Sequence, residues 1–214
     1  MLIGLVGFAG SGKGTVADIL VRDHGFKKLS FADALKDAVA TIFGWERHLL
    51  EGDTDESREF RETIDPWWSS RLNYDVTPRY MMQLMGTEAG RNAFHLDIWI
   101  HTVAKRMMQY EKVVIADVRF PNELDFVREN GGFNVRVARG DNPEWFSIAR
   151  QANIEKNTDL MSDYHIHYSE WAWIGRNLNY LISNNGSIAM LEADVKHMLR
   201  VQSGPAIMDP YSEK

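Results

Sequence analysis

The sequence predicts an α/β protein in three layers, with helices on both sides of a central parallel sheet. Three observations predict it. The chain opens on a short apolar run, Leu2, Ile3, Leu5 and Val6, interrupted only by Gly4, which suits a strand buried on both faces. A second run of the same kind, Val113-Val114-Ile115-Ala116, lies mid-chain. Segments of helical period separate and follow these runs, the alternation that builds a parallel sheet. At 214 residues the chain is long enough for one such domain with a sizeable core.

The stretch GFAGSGKGT at 7–15 follows the first strand. Gly7 and Gly12 bracket four residues ahead of Lys13, the spacing that wraps a loop around a polyphosphate. Gly7, Ala9, Gly10, Ser11, Gly12, Lys13, Gly14 and Thr15 are therefore the expected nucleotide-binding residues. Glycine lets backbone N–H groups close on phosphate oxygens. The helix that follows points its positive end at the same anion, and Lys13 adds a full charge. The strict pattern places Ser or Thr directly after the lysine, to hold Mg²⁺. Here Gly14 stands there and Thr15 comes next, an arrangement that resembles the loop of nucleoside monophosphate kinases such as adenylate kinase. In that group the metal is held largely through water and the Thr hydroxyl touches phosphate.

Composition narrows the function classes. A formal net charge of −6 argues against stable nucleic-acid binding. The absence of cysteine removes disulfides, thiolate metal sites and thiol catalysis. No apolar stretch is long enough to span a membrane. No basic, apolar leader precedes the first strand, so a cytoplasmic location is expected.

Taken in order, residues 15–23 carry Val16, Ile19 and Leu20 at helical spacing, and Gly25 stops them. A short strand is expected at 26–30. A helix at 32–43 presents Leu35, Val39, Ile42 and Phe43 on one face, with Lys36 one residue off it. Residues 44–77 are the least regular, charged through EGDTDESREFRE and then bearing Trp67 and Trp68 after Pro66. Only one of the two indoles can face inward, either as core filling or as a wall for a flat ligand. Thr77-Pro78 starts a helix that packs Tyr80, Met81, Leu84 and Met85, with Arg79, Gln83 and Arg91 flanking GTEAGR. Residues 97–111 form another, through Ile98, Ile100, Val103, Met107 and Met108.

The strand at 113–116 ends in Asp117, a carboxylate at the end of a parallel strand where α/β folds place ligands. It is the candidate to orient Mg²⁺ directly or through water, and Arg119, Asn122 and Glu123 follow. A helix at 124–130 ends at Gly131-Gly132, and 133–138 alternates as a strand. Residues 140–170 are polar and suit a mobile lid. His165 and His167 sit in it at strand spacing, a weak metal signal. A last strand spans 180–183, Asn184-Asn185-Gly186 breaks it, and Ser187 caps a helix bearing Ile188, Leu191, Val195 and Leu199. The expected organisation is one domain over 1–201, with a substrate-side insertion at 44–76, the lid-like segment at 140–170 and a loose tail at 202–214.

An ordered set of motifs then points to a family: GFAGSGKGT, SFADALKD at 30–37, TPRYMMQLMGTEAGR at 77–91, VVIADVRFPNEL at 113–124, VRVAR at 135–139, HYSE at 167–170 and ISNNGS at 182–187. The set is similar to the deoxynucleoside monophosphate kinases of tailed bacteriophages, and covers most of the chain outside 44–76 and the tail. Phosphomevalonate kinases of animals share a similar layout. The resemblance implies a nucleoside-monophosphate-kinase fold that passes the γ-phosphoryl of ATP to a deoxynucleoside 5′-monophosphate, with Mg²⁺, in deoxynucleotide synthesis. Small-molecule nucleotides are then the expected partners, and a homodimer is one open arrangement.

Phosphoryl transfer requires two anions held in line with their charge neutralised. Lys13 and the loop amides would hold the donor phosphates, with Asp117 and Thr15 towards Mg²⁺. Lys36, Arg79, Arg91 and Arg119 are the cations available for the acceptor phosphate, and guanidinium forks match its oxygens. Arg139, at the mouth of the lid, is the candidate to stabilise the transferring group, with Arg150 second. Phe31, Trp67 and Trp68 are candidates for stacking on the base. Glu170 and Gln83 either read base edges or brace an arginine. A switch or motor fits less well, because the chain has no Asn-Lys-x-Asp for guanine and Val118, not Glu, follows Asp117.

Overall fold

A computed structural model describes residues 1–202. Along the chain run β1 (Leu2–Val6), α1 (Lys13–His24), β2 (Lys27–Leu29), α2 (Asp33–Phe43), α3 (Asp55–Glu62), α4 (Pro66–Leu72), α5 (Pro78–Leu84), α6 (Ile98–Met107), β3 (Val113–Ile115), α7 (Pro121–Glu129), β4 (Phe133–Ala138), α8 (Phe146–Glu155), β5 (Tyr180–Ser183) and α9 (Ile188–Gln202). Short 3-10 turns occupy Arg47–Leu50, Thr158–Tyr164 and Tyr168–Glu170, and Met85–Phe94 is a π-helix. The described chain divides into two compact units, one made of residues 1–28 with 110–202, the other of residues 29–109. The tail expected at 202–214 lies, apart from Gln202 at the end of α9, outside the described residues.

The first unit holds a five-stranded sheet in the order β2-β3-β1-β4-β5. The pairings of β1 with β3, β1 with β4 and β4 with β5 are all parallel, as the apolar runs predict. Every residue of β1 is buried, which follows from its place at the sheet centre with helices on both sides. Ile3, Leu5, Val135, Val137 and Ile182 pack on Val16, Ile19 and Leu20 of α1 and Leu191, Val195 and Met198 of α9. Gly4 faces the other way, where a Cβ would meet Val118 and Val127 of the α7 side. The three layers are thus built by strand alternation alone. Gly25, at φ 70°, closes α1 by donating to the Leu20 carbonyl.

The second unit has its own core, Val39, Leu50, Val76, Met81 and Met82, with Leu35, Phe43, Trp45, Phe60, Trp68, Leu84 and Met85 against it. Thr77 caps α5 by accepting from the Tyr80 amide, with Pro78 in the first turn, as its dipeptide predicts.

Four apolar positions differ from expectation. Ile42 is exposed, because the buried stripe of α2 runs through Leu35, Val39 and Phe43 at intervals of four. Tyr80 is exposed because Met81 and Met82 take the inward face, and its ring meets Tyr74 edge-on. Met108 lies beyond the end of α6 and is exposed. Ile188 opens α9 and is likewise exposed, the buried stripe beginning at Leu191. Nor is 44–77 irregular: the charged run forms α3, with Thr54 and Ser57 capping each other across its first turn. The polar stretch at 140–170 contains α8, whose Ala149 and Ala152 are buried along with Met161 of the following turn.

Candidate active site

Gly7 to Thr15 form a loop from the end of β1 into α1. Two glycines in it are required by their surroundings. Gly7 has φ 146°, and a Cβ there would stand 2.3 Å from the Val137 carbonyl oxygen. Gly12, the residue preceding α1, has φ 98°, and its Cβ would fall 2.1 Å from Nδ2 of Asn184. That amide nitrogen donates to the Ser11 carbonyl at 2.9 Å, tying the loop to the end of β5. The Asn184 amide in turn donates to Ala138 O at 2.7 Å. Gly10 and Gly14 face open space, where an added Cβ meets nothing within 4 Å.

Lys13 turns back over the loop and donates from Nζ to the carbonyls of Gly7 at 2.7 Å and Phe8 at 2.9 Å. Burial pushes its ammonium down to about 8, with Arg119 adding to the effect and Glu170 and Asp117 opposing it. The Ser11 hydroxyl is buried without a hydrogen-bond partner among the described residues. A ring of helix-start amides, a central ammonium and an orphaned hydroxyl fit an oxyanion. Thr15 is exposed on the first turn of α1 and Asp117 is half-buried just past β3. Both offer the oxygen donors that Mg²⁺ takes.

The turn after Asp117 is set by Glu123, a residue whose part sequence reading missed. Its buried carboxylate accepts from the amides of Arg119 at 2.8 Å and Phe120 at 3.1 Å. The Arg119 guanidinium pairs with the Glu170 carboxylate and lies 3.4 Å from the Ser169 hydroxyl. Arg119 and Glu170, taken separately from sequence, are thus one ion pair. Arg139 follows β4 and is exposed, with no ion pair among the described residues. Gly140 beside it donates to Oδ1 of Asn185 at 2.7 Å. Arg150 is exposed on α8. His165 closes the Thr158–Tyr164 turn at φ 52°, whereas His167 caps the Tyr168–Glu170 turn.

The lid-like segment meets the loop through Phe8, whose ring lies edge-on to Trp145 and Phe146 at 5.5 and 6.2 Å, and to Trp173 just past the segment at 5.2 Å. Arg136, also absent from the expectations, lies over Phe146 and Trp173 at 4.9 and 5.3 Å. Burial lowers its pKa, and its Nε is buried without a partner among the described residues.

The remaining candidates lie in the second unit. Lys36 is not a solvated lysine: its side chain is only 13% exposed and donates to Glu51 at 2.6 Å. Burial alone would raise the Glu51 carboxyl, but Lys36 and Arg47 together hold it below the usual carboxylate range. Arg79 pairs with Glu62 at the surface. Gln83 is exposed on α5 and Arg91 is half-buried in the π-helix. Phe31 is buried. Of the two indoles only Trp68 turns inward, donating to Phe43 O at 2.9 Å, while Trp67 is 57% exposed. Both line an open hollow of about 470 Å³ together with Phe43, Trp45 and Asp65.

Comparison with known proteins adds an independent line. A family model described as deoxynucleotide monophosphate kinase matches residues 53–195. A protein of Acanthamoeba polyphaga mimivirus, provisionally named a deoxynucleotide monophosphate kinase, is 37% identical over 152 residues, 65% of this chain and 74% of its own. The deoxynucleoside-5′-monophosphate kinase of Escherichia phage T5 is 43% identical over 56 residues, 25% of this chain and 22% of its own. Among solved structures, shikimate kinase of Aquifex aeolicus is 14% identical with a TM-score of 0.44, over 94% of this chain and 96% of that one. That last likeness is too distant to bear on fold or substrate.

Proposed function

Because the chain belongs to the deoxynucleotide monophosphate kinase family, we propose that it passes the γ-phosphoryl of ATP to a deoxynucleoside 5′-monophosphate at the loop around Lys13. The family match over 53–195 carries the substrate class. The loop lies outside that match and supports the donor side independently.

In the reaction an oxygen of the acceptor monophosphate forms a bond to the γ-phosphorus. The bond from that phosphorus to its β-bridging oxygen breaks, and ADP leaves. Lys13, freed from the Gly7 and Phe8 carbonyls, follows the β- and γ-phosphates, while the amides of 12–15 hold their oxygens. The Ser11 hydroxyl gains an acceptor it lacks. Asp117 and Thr15 would hold Mg²⁺ through water, and bound there it would neutralise phosphate charge.

Arg139 is assigned to the transferring group, where its guanidinium, without an ion pair among the described residues, can meet developing charge, with Arg150 behind it. Arg119 is assigned to the acceptor phosphate. So, from the second unit, are Lys36, Arg79 and Arg91; Lys36 and Arg79 already hold carboxylates, so phosphate there would replace one anion by another. Phe31, Trp67 and Trp68 remain the candidates for the base, with Gln83 and Glu170 for its edges or for bracing an arginine. A cytoplasmic location, where ATP and deoxynucleotides are found, completes the reading; among the described residues no helix is long and apolar enough to cross a membrane.

The test is ADP release from ATP and Mg²⁺ with dAMP, dCMP, dGMP and dTMP in turn, with phosphomevalonate and with no acceptor. Release that depends on at least one deoxynucleotide is the expected result. Release independent of every acceptor, or turnover with phosphomevalonate alone, overturns the reading. Lys13→Ala should lower kcat by about a hundredfold or more in a folded protein, the scale of losing one preorganised charge.

A further inference from the structure

We propose that His167 is a positioning residue, whose Nδ1 holds the Tyr168–Glu170 turn so that Ser169 and Glu170 orient the Arg119 guanidinium. The inference rests on the role just assigned to Arg119.

The hydrogen bonds have a direction. Nδ1 of His167 accepts from the Ser169 amide at 3.3 Å and lies 2.8 Å from the Ser169 hydroxyl. One ring nitrogen facing a backbone N–H must be the unprotonated one, so the imidazole is neutral and carries its hydrogen on Nε2. The Ser169 hydroxyl has a single hydrogen, and it goes to Nδ1. Its lone pairs are therefore turned to donors, and Arg119 Nη1 stands 3.4 Å away. The same Nη1 donates to Glu170. The relay runs from guanidinium to hydroxyl to imidazole.

The backbone of Arg119 is fixed by Glu123. Its guanidinium is held by Glu170 and Ser169, both in the turn that His167 caps. The turn is anchored at both ends: Glu170 N donates to His167 O at 2.9 Å, and Tyr168 packs edge-on to Trp171 at 4.7 Å. Within it the first-turn amide of Ser169 has the imidazole as its side-chain acceptor. Arg119 and Glu170 act on the charge of Lys13 in opposite directions, the first lowering its pKa and the second raising it.

Steady-state kinetics of His167→Ala, His167→Asn and Ser169→Ala test the proposal, with the best deoxynucleotide acceptor. His167→Ala should lower kcat/KM for that acceptor about five- to tenfold, the scale of a lost cap, while KM for ATP stays within about twofold. Asn offers an acceptor at the same place, and His167→Asn should restore the rate to within about threefold. In an Arg119→Lys background His167→Ala should cost less than about twofold more, because coupled residues are not additive. Wild-type kinetics in His167→Ala, or the full loss repeated in the Arg119→Lys background, overturns the proposal. Nitrogen-15 spectra of the imidazole decide it without turnover: the Nε2–H tautomer is expected, and Nδ1–H overturns the relay. Wild-type protein with no acceptor-dependent ADP release would sink the kinase reading instead, leaving the spectra to decide this one.

Discussion

Lys13 is held by two carbonyls of its own loop and has lost most of its hydration, which is why its pKa falls to about 8. Bound polyphosphate favours the ammonium, so ATP raises that pKa again. Below about pH 8 the free protein already carries the proton and affinity is full. As pH rises through that value, binding must take up a proton and affinity declines. Calorimetry at about pH 8.5 in buffers of unlike ionisation heat should show proton uptake on ATP binding; none would mean the ammonium does not meet the phosphates. At Gly12 the left-handed backbone and the Asn184 amide both exclude a side chain. Gly12→Ala should destabilise the protein by at least about 1–2 kcal/mol and weaken ATP binding more than about tenfold. Unfolding in urea and calorimetry read the two effects, and wild-type ATP affinity would show that the loop shape is not used. The glycines and the lysine were legible because their reason is local. Asn184 was not legible as a brace, because its partner is 173 residues away, and no periodicity reports such a contact.

Elements were legible where one signal dominated. β4 falls at 133–138 as its alternation predicts and β5 at 180–183, ahead of the expected Asn-Asn-Gly break, and Thr77-Pro78 opens α5. In the charged run the composition hid the cap: Thr54 accepts from Ser57 N at 3.1 Å, and Ser57 Oγ accepts from Thr54 N at 3.0 Å. Thr54→Ala should therefore cost about 1 kcal/mol in urea unfolding; no change would mean the cap is not formed in solution. Leu50, fully buried just before that helix, should cost about 2–5 kcal/mol as Ala, the mark of a core position inside what reads as polar sequence. The arginine candidates were legible as charges but not as pairs. Which carboxylate meets which cation depends on where loops bring them, as with Glu170 and Arg119.

The three-layer architecture of the first unit was legible from two apolar runs, whereas the division into two units was not, since both units draw on the same helical patterns. Ligand binding acts on the whole chain through mass action: ATP at a hundred times its Kd should stabilise the folded protein by about 2.7 kcal/mol. For a chain of this length that is a rise in melting temperature of roughly 5–10 °C. Lys13→Ala should abolish most of the rise in a thermal-shift measurement, and an equal rise in that variant would move the binding site elsewhere. The Asn184 brace carries a consequence for biosynthesis. Ser11 leaves the ribosome long before Asn184, and at about 5–20 residues per second the loop waits roughly 9–35 s for the side chain that ties it down. A nascent chain stalled before β5 should therefore hold ATP poorly, whatever the state of β1 and α1, and nucleotide competence should arrive late and abruptly as the last strand docks.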